Sequence, residues 1–264
     1  DPTNGTFSAT FTFSEDVTGF EIGDISLGNA TASNFSQTSA SVYTADITPT
    51  TNGTVTIDVA ANVAQDAASN GNTAATQFSV EADLTNPDVT ITSTVADPTN
   101  GTFTATFTFS EDVTGFVIGD ISLGNATASN FSQTSASVYT ADITPTADGT
   151  VTIDVAANVA QDAATNGNTA ATQFSVEADL TNPGVVISST APDPTNNTFT
   201  ATFTFSEDVT GFTIGDITLG NATASNFSQT SASVYTADIT PTTDGTVTID
   251  VAANVAQDAA TNGN

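Results

Sequence analysis

Hydrophobic and polar residues alternate along several short stretches of the chain. In TFSATFTF, the residues Phe7, Ala9, Phe11 and Phe13 fall on one side of an extended backbone, and the intervening Ser and Thr fall on the other. This two-residue period predicts a strand with one face in a core. The same period recurs in VYTADI, TVTIDV, TQFSVE and DVTITST, with these residues predicted to point inward: Tyr43, Ala45, Ile47, Val55, Ile57, Val59, Phe78, Val80, Val89 and Ile91.

Turn-forming sequences separate the predicted strands. DPTNG, TPTTNG and SNGN are rich in Pro, Asn and Gly, which favour tight turns. GDISLGNATASNFS adds one or two further strands, and no segment has a helical period. The pattern therefore predicts an all-β chain built from immunoglobulin-like antiparallel β-sandwiches of about seven strands each.

The chain is a tandem repeat. DPTNGTF starts at Asp1 and again at Asp97, so the period is 97 − 1 = 96 residues, and DPTNNTF starts at Asp193. Such a period fits one small domain per repeat better than one solenoid unit. We predict repeat 1 over residues 1–83, repeat 2 over residues 84–179 and repeat 3 over residues 180–264.

The predicted frame leaves two repeats incomplete. The first strand of a repeat lies in PDVTITSTV, before Asp97, which makes EADLTNP at 81–87 the linker between domains. Repeat 1 then lacks its first strand and repeat 3 its last. Two interpretations stay open: the segment belongs to a longer array, or a neighbouring chain in a head-to-tail assembly donates the missing strand.

The net charge of the chain excludes some classes of function. The chain has 29 Asp plus Glu, no Lys, Arg or His, and a net charge of −29, so binding to nucleic acid or to an anionic membrane is excluded. Catalysis is not expected either, because His, Cys and Lys are absent and neighbouring residues such as Glu15 and Asp16 point to opposite sides of a strand end. No apolar run is long enough to span a membrane. The 38% hydrophobic content still suffices for packed cores.

The recurring loop QDAASNGN contains oxygen donors at the spacing of a calcium loop. Asp66, Asn70, Gly71 and Asn72 match positions one, five, six and seven of an EF-hand loop, but position three is Ala68. Position twelve is Gln77, so the loop alone supplies too few carboxylates. The alternative interpretation is that its Asp and Asn-Gly only form turns.

In a seven-strand sandwich, this loop shares one end of the domain with the linker and with the loop that follows the second strand. That end faces the preceding domain, so oxygen ligands from two domains are expected to converge on Ca2+. We predict metal ligands among these residues: Glu15, Asp16, Asp24, Asp66, Asn70, Asn72, Glu81, Asp83, Glu111, Asp112, Asp120, Asp162, Asn166, Asn168, Glu177, Asp179, Glu207, Asp208, Asp216, Asp258, Asn262 and Asn264.

The blocks FSEDV, TP…G.VTI.V and DAA.NGN, together with the linker DLTNP, resemble the bacterial immunoglobulin-like repeats of large surface adhesins and biofilm-associated proteins. The resemblance implies a calcium-stiffened rod, exported to the cell surface, that carries a terminal binding domain. It makes Glu15, Asp66, Asn72 and Asp83 counterparts of loop and linker metal ligands. In the linker, Leu84 stands where the family's Asp-Thr-Thr-x-Pro form has Thr, and Asn86 takes the variable position.

These observations predict an extracellular structural extender whose partners are the neighbouring repeats and whose cofactor is Ca2+. The competing hypothesis is a filament subunit in which identical chains complete one another by strand donation.

Overall fold

A computed structural model of the chain describes residues 2–264, and its strands fall into three groups. Repeat 1 contains β1 (Phe7–Thr12), β2 (Ile25–Gly28), β3 (Ala30–Ser39), β4 (Val42–Pro49), β5 (Gly53–Val59) and β6 (Phe78–Ala82). Repeat 2 contains β7 (Val89–Thr92), β8 (Phe103–Phe109), β9 (Ile121–Gly124), β10 (Ala126–Ser135), β11 (Val138–Pro145), β12 (Gly149–Val155) and β13 (Phe174–Ala178). Repeat 3 contains β14 (Val185–Ser189), β15 (Phe199–Phe205), β16 (Ile217–Gly220), β17 (Ala222–Ser231), β18 (Val234–Pro241) and β19 (Thr248–Val251). The helical segments are short 3-10 turns at Ile22–Asp24, Ile118–Asp120 and Ile214–Asp216.

Repeat 2 is a two-sheet antiparallel sandwich. Its larger sheet has the strand order β10-β11-β8-β7, and its smaller sheet has the order β13-β12-β9. With the strands lettered A to G in chain order, these are the D-E-B-A and G-F-C sheets of an immunoglobulin-type sandwich. The all-β fold class predicted from the alternation is confirmed.

The core lies between the two sheets and follows the predicted period. Along β8 every second residue is buried, and Phe107 has no exposed surface. Ile143 of β11 and Val151 and Ile153 of β12 are also fully buried. The threonines between them face outward, so each strand contributes one apolar face.

A buried tyrosine fixes the loop that follows β8. The hydroxyl of Tyr139 donates a hydrogen bond to the carbonyl of Val113 at 3.1 Å and accepts one from Nε2 of Gln133 at 3.0 Å. Phe109 and Phe116 pack edge-on against its ring, with centroids 5.9 and 5.2 Å away. Because Val113 is held in this way, the acidic residues just before it occupy a defined place at the end of the sandwich.

Repeats 1 and 3 each have an incomplete sheet. Within residues 2–264, no strand pairs with the free edge of β1, and none pairs with the free edge of β19. Phe78 was predicted to point into a core but is 52% exposed, whereas its counterpart Phe174 in the complete sandwich is partly buried against the core. Phe11 and Phe13 are half-buried, whereas their counterparts Phe107 and Phe109 beside the paired strand β7 are buried, and Phe7 is half-buried as Phe199 is in repeat 3.

Candidate metal centre

Each copy of the recurring loop is closed by its last asparagine. In repeat 2, Oδ1 of Asn168 accepts hydrogen bonds from the backbone N–H groups of Val159 and Ala160 at 2.9 and 2.8 Å. Its Nδ2 donates to the carbonyls of Ala156 and Thr169, and the side chain is 1% exposed. These bonds use the whole amide for loop closure, so the side chain folds the loop rather than offering a ligand. The same four bonds form at Asn72, and the bonds to Val255, Ala256 and Ala252 form at Asn264.

The aspartate at the start of the loop forms the turn and keeps acceptor capacity. Oδ1 of Asp162 accepts the backbone N–H of Asn166 at 2.8 Å, and Oδ2 accepts Nδ2 of the same residue at 2.8 Å. Both side chains are buried, at 7% and 8% exposure. A carboxylate has about four lone-pair sites, so two bonds leave room for a cation. The turn-forming and ligand interpretations of this aspartate are therefore compatible.

The linker between repeats 1 and 2 lies across this loop. Nδ2 of Asn166 donates to the carbonyl of Asp83 at 2.9 Å. Thr169 donates its backbone N–H to Pro87 at 2.8 Å and its hydroxyl to Oδ1 of Asp88 at 2.6 Å. The loop of one repeat is thus bonded to the chain segment that leaves the preceding repeat.

Three carboxylates meet where the linker crosses the loop. Oxygens of Asp83, Glu111 and Asp162 all lie within 4.8 Å of one another. Asp83 follows β6, Glu111 follows β8, and Asp162 lies between β12 and β13. The same arrangement recurs at the next junction, with Asp179, Glu207 and Asp258. Six of the predicted ligands are therefore brought together in two sets of three.

Burial and like charge raise the pKa of the glutamate in each set. For Glu111, desolvation is the largest cause, followed by repulsion from Asp83 and Asp162. For Glu207, desolvation again leads, and Asp179, Asp258 and Asp148 add repulsion. Since the chain contains no cationic side chain, no ion pair within it offsets this cost.

The equivalent loop in repeat 1 has the same turn but no linker against it. Oδ1 of Asp66 accepts the N–H groups of Ala68 and Asn70, and Oδ2 accepts Nδ2 of Asn70. The hydrogen bonds from Asn70 are the main reason that the pKa of Asp66 is lowered. Among residues 2–264, no acid stands beside Asp66 as Asp83 stands beside Asp162.

Other predicted ligands have local roles. Asp24, Asp120 and Asp216 accept a backbone N–H three residues earlier and so cap the 3-10 turns. Glu81 and Glu177 accept the hydroxyls of Thr54 and Thr150 on the neighbouring strand. In the described part of the chain, no cluster of three acids includes these residues, nor the remaining predicted acids Glu15, Asp16, Asp66, Asp112 and Asp208. Asn262 belongs with Asn166, because its Nδ2 donates to the carbonyl of Asp179 at 2.8 Å.

The sequence analysis did not identify the side chain that accepts a hydrogen bond from the linker backbone. Oδ1 of Asn52 accepts the N–H of Leu84 at 2.7 Å. At the second junction Asp148 takes this place and accepts Leu180 N–H and the Thr181 hydroxyl, both at 2.6 Å. The sequence signal that could have identified this position is the change from Asn52 to Asp148 between two nearly identical repeats.

The sequence model of the bacterial Ig-like domain matches residues 2–81, 83–177 and 179–264. The chain belongs to the bacterial Ig-like domain family. Each match covers one group of strands and one copy of the closing loop. The boundaries predicted at 83/84 and 179/180 stay a prediction.

Two solved structures match the chain over most of its length. "Crystal structure of invasin: a bacterial integrin-binding protein" matches with 14% identity and a TM-score of 0.37, covering 94% of this chain and 54% of that one. "Structure of Yersinia pseudotuberculosis InvD" matches with 13% identity and a TM-score of 0.36, covering 94% and 77%. This chain therefore spans about half the length of the invasin structure. No curated protein matches the sequence, and none of the helices within residues 2–264 has the length and apolarity to cross a membrane.

Proposed function

We propose that this chain is an extender of an extracellular bacterial adhesin or surface filament, in which Ca2+ stiffens the junctions between Ig-like repeats. One observation carries the proposal: at both junctions a linker acid of one repeat meets two acids of the next. The recurrence of the set at Asp83 and at Asp179 supports a property of the array rather than of one domain.

The donor set fits a hard cation. Carboxylates, carbonyls and water are the ligands of Ca2+, which takes six to eight oxygens at about 2.3–2.6 Å. Asp83, Glu111 and Asp162 provide three carboxylates, and water and backbone carbonyls can complete the shell. The chain offers no thiolate or imidazole, the ligands that softer metals prefer.

Binding at this place couples the orientation of two repeats. Without a cation, the three carboxylates repel one another, as the raised pKa of Glu111 indicates. With a cation, Asp83 at the end of repeat 1 is tied to Glu111 and Asp162 of repeat 2. Cation binding therefore replaces repulsion between the carboxylates by a cross-link, and it fixes the orientation of one repeat relative to the next.

An extracellular location follows from the chemistry of the proposal. Extracellular calcium modules work at dissociation constants of about 10⁻⁴–10⁻³ M, and the proposal takes the junction sites to work in this range. A surface with a net charge of −29 also keeps long arrays apart from one another.

Small-angle scattering with calcium at about 1 mM and with chelator tests the proposal. We expect the maximum dimension to be larger and the flexibility smaller in calcium. Asp162→Asn together with Asp258→Asn should remove this response. Asp66→Asn is the matched control, because Asp66 makes the same turn without a linker acid, and it should leave the response intact. Identical scattering of the unsubstituted chain in both solutions would contradict the proposal.

A further inference from the structure

Asn52 lies in the turn between β4 and β5 and is followed by a glycine. Six asparagines precede a glycine in this chain. In such a pair the backbone nitrogen of the glycine can attack Cγ of the asparagine, since glycine has no side chain to hinder the approach. Gly53 has a φ of +116°, and a Cβ placed on it would meet no atom within 4 Å. Asn52 is itself exposed, so water reaches the reacting groups.

The linker contacts both ends of the Asn52 amide. Oδ1 accepts the backbone N–H of Leu84 at 2.7 Å, and Nδ2 donates to Oγ1 of Thr85 at 2.6 Å. Attack on Cγ places negative charge on Oδ1, and an N–H group aimed at that oxygen stabilises the charge. The hydroxyl of Thr85 lies where it can pass a proton to the departing nitrogen. The linker therefore supplies two groups that favour loss of the amide.

Repeats 2 and 3 have an acid at this position. Asp148 and Asp244 replace Asn52 in otherwise nearly identical sequences. Oδ1 of Asp148 accepts the N–H of Leu180, and its Oδ2 accepts the hydroxyl of Thr181, both at 2.6 Å. The two junctions thus differ only in the direction of the hydrogen bond to the threonine hydroxyl. An aspartate at position 52 would keep the linker contacts once the hydroxyl of its threonine has rotated.

The other five Asn-Gly pairs lack this arrangement. In the recurring loop the backbone is closely packed, because a Cβ on Gly71, Gly167 or Gly263 would collide with an asparagine side chain. In the DPTNG turns, Nδ2 of Asn4 and of Asn100 donates to a threonine hydroxyl of the following repeat at 3.2 and 3.4 Å. Within residues 2–264 no donor contacts Oδ1 of either side chain. These two exposed turns are therefore internal references for Asn52.

We propose that Asn52 is a site of spontaneous deamidation, which gives the first junction an aspartate at the position that Asp148 occupies at the second. The nitrogen of Gly53 forms a bond to Cγ of Asn52 and gives up its proton, while the bond from Cγ to Nδ2 breaks and Nδ2 leaves as ammonia. Water then opens the cyclic imide by adding a hydroxyl to one carbonyl carbon and a proton to the nitrogen. Opening at Cγ gives aspartate, and opening at the main-chain carbonyl gives isoaspartate.

The product adds one negative charge beside the linker. At the second junction the equivalent charge of Asp148 reaches the acid cluster, because Asp148 is one of the groups that repel Glu207. Deamidation should therefore make the first junction electrostatically similar to the second. Its effect on calcium rests on the proposed function, whereas the covalent change needs no bound cation.

Peptide mapping by mass spectrometry tests the site. The 264-residue chain is incubated in mildly alkaline buffer, with calcium or with chelator, and is digested with chymotrypsin because it has no Lys or Arg for trypsin. In both solutions we expect the mass gain of an amide-to-acid change about tenfold sooner at Asn52 than at Asn4 or Asn100, since a donor on the developing oxyanion accelerates such a step. Equal rates at the three turns would overturn the proposal. Because the change is detected by mass, this result is independent of whether calcium binds.

Substitutions at the linker threonine test the assigned contacts. Thr85→Val removes the hydroxyl beside Nδ2 and should slow conversion at Asn52 by about tenfold, with Asn4 and Asn100 unchanged. Thr85→Ser should restore the rate. Thr181→Val is the matched control, because Thr181 lies beside an aspartate, and it should change none of the three rates. An unchanged Asn52 rate in Thr85→Val would overturn the proposal. Isoaspartate without aspartate at position 52, which electron-transfer fragmentation distinguishes, would overturn it as well.

Discussion

The loop QDAASNGN of repeat 1 and the loop QDAATNGN of repeat 2 share the hydrogen bonds between their Asp and the Asn four residues later, but their surroundings differ. Asp66 makes the turn with Asn70 as Asp162 does with Asn166. Asn70 is nevertheless exposed, whereas Asn166 is 8% exposed and donates to the linker carbonyl of Asp83.

This difference separates the folding of the loop from the formation of the acid cluster. The turn needs only residues within the loop, because it forms in repeat 1 without a linker. The gathering of Asp83, Glu111 and Asp162 within 4.8 Å needs the chain that leaves the preceding repeat. The candidate site is therefore a property of a junction, and a single repeat does not contain it.

Adding a linker to repeat 1 should produce the largest change. When residues 83–96 are joined in front of Asp1, the added strand is expected to pair with the free edge of β1 and to place its leading aspartate beside Glu15 and Asp66. We expect about 3–6 kcal/mol of added stability in repeat 1, from burial of its exposed Phe side chains. We also expect calcium stoichiometry, measured by titration calorimetry, to rise from two to three ions per chain.

The shorter addition of residues 86–96 is the control for this experiment. It supplies the strand but not the counterpart of Asp83, so it should stabilise repeat 1 and leave the stoichiometry at two. Equal stoichiometry for both additions would show that the linker aspartate is dispensable, and the comparison between the two loops would then have to be explained by burial alone.

Removing the closing asparagine should have the next largest effect. Asn168→Ala deletes four hydrogen bonds and leaves buried backbone groups unpaired, which should cost about 2–4 kcal/mol. Asn72→Ala deletes the same bonds in repeat 1, where the side chain is partly exposed and water can replace it, so a smaller loss is expected. Hydrogen exchange of the loop amides measures both. Equal losses would mean that linker burial adds nothing to the stability of the loop.

Much of this architecture is readable from the sequence. The two-residue period identifies the strands and the inward Phe, Val and Ile residues, because side-chain direction in a strand depends on local geometry. It fails at Phe78, which is exposed although its counterpart Phe174 is partly buried, because burial depends on what packs against a strand and not on side-chain direction alone. The ligand prediction was broad for the same reason. The order of strands and loops predicts which acids lie at one end of the domain. Only the path of the linker determines that Asp83 lies close to Glu111.

The role of Asn168 illustrates a second limit. An Asn after a Gly in an acidic loop has the same sequence pattern whether its amide binds a cation or the backbone. The choice depends on the backbone groups of Ala156, Val159 and Ala160, which lie up to twelve residues earlier. These backbone groups point toward the amide only when the whole loop is folded, so the residues next to Asn168 in the sequence do not reveal the contact.

The acid cluster should reverse its effect on stability when calcium is added. The raised pKa of Glu111 means that its protonated form favours the folded junction. This contribution is full below the ordinary carboxyl pKa of 4.5 and is lost as the pH rises through the raised value. At neutral pH in chelator, Glu111→Gln should therefore stabilise repeat 2. In calcium the same substitution removes a ligand and should destabilise it.

Unfolding of repeat 2, followed by an NMR signal from its core, measures this reversal at a fixed neutral pH. Glu15→Gln is the control, since Glu15 follows β1 as Glu111 follows β8 and belongs to no cluster of three in the described residues. We expect no calcium-dependent sign change for Glu15→Gln. The same sign for Glu111→Gln in both solutions would exclude Glu111 from the cation shell.

The two junctions also differ at the residue that holds the linker N–H, and this difference should have the smallest effect. Asp148 adds repulsion to Glu207 at the second junction, whereas Asn52 stands at the first. A further negative charge beside a cation site strengthens binding, but screening at an exposed position limits the gain to about two- to threefold. Asn52→Asp should raise calcium affinity at the first junction by this factor, and Asp148→Asn should lower it at the second, as resolved by calorimetry at low ionic strength. Both side chains hold the linker N–H at 2.6–2.7 Å, so a change in affinity without a change in linker hydrogen exchange would assign the effect to charge. An equal change in exchange would assign it to the position of the linker.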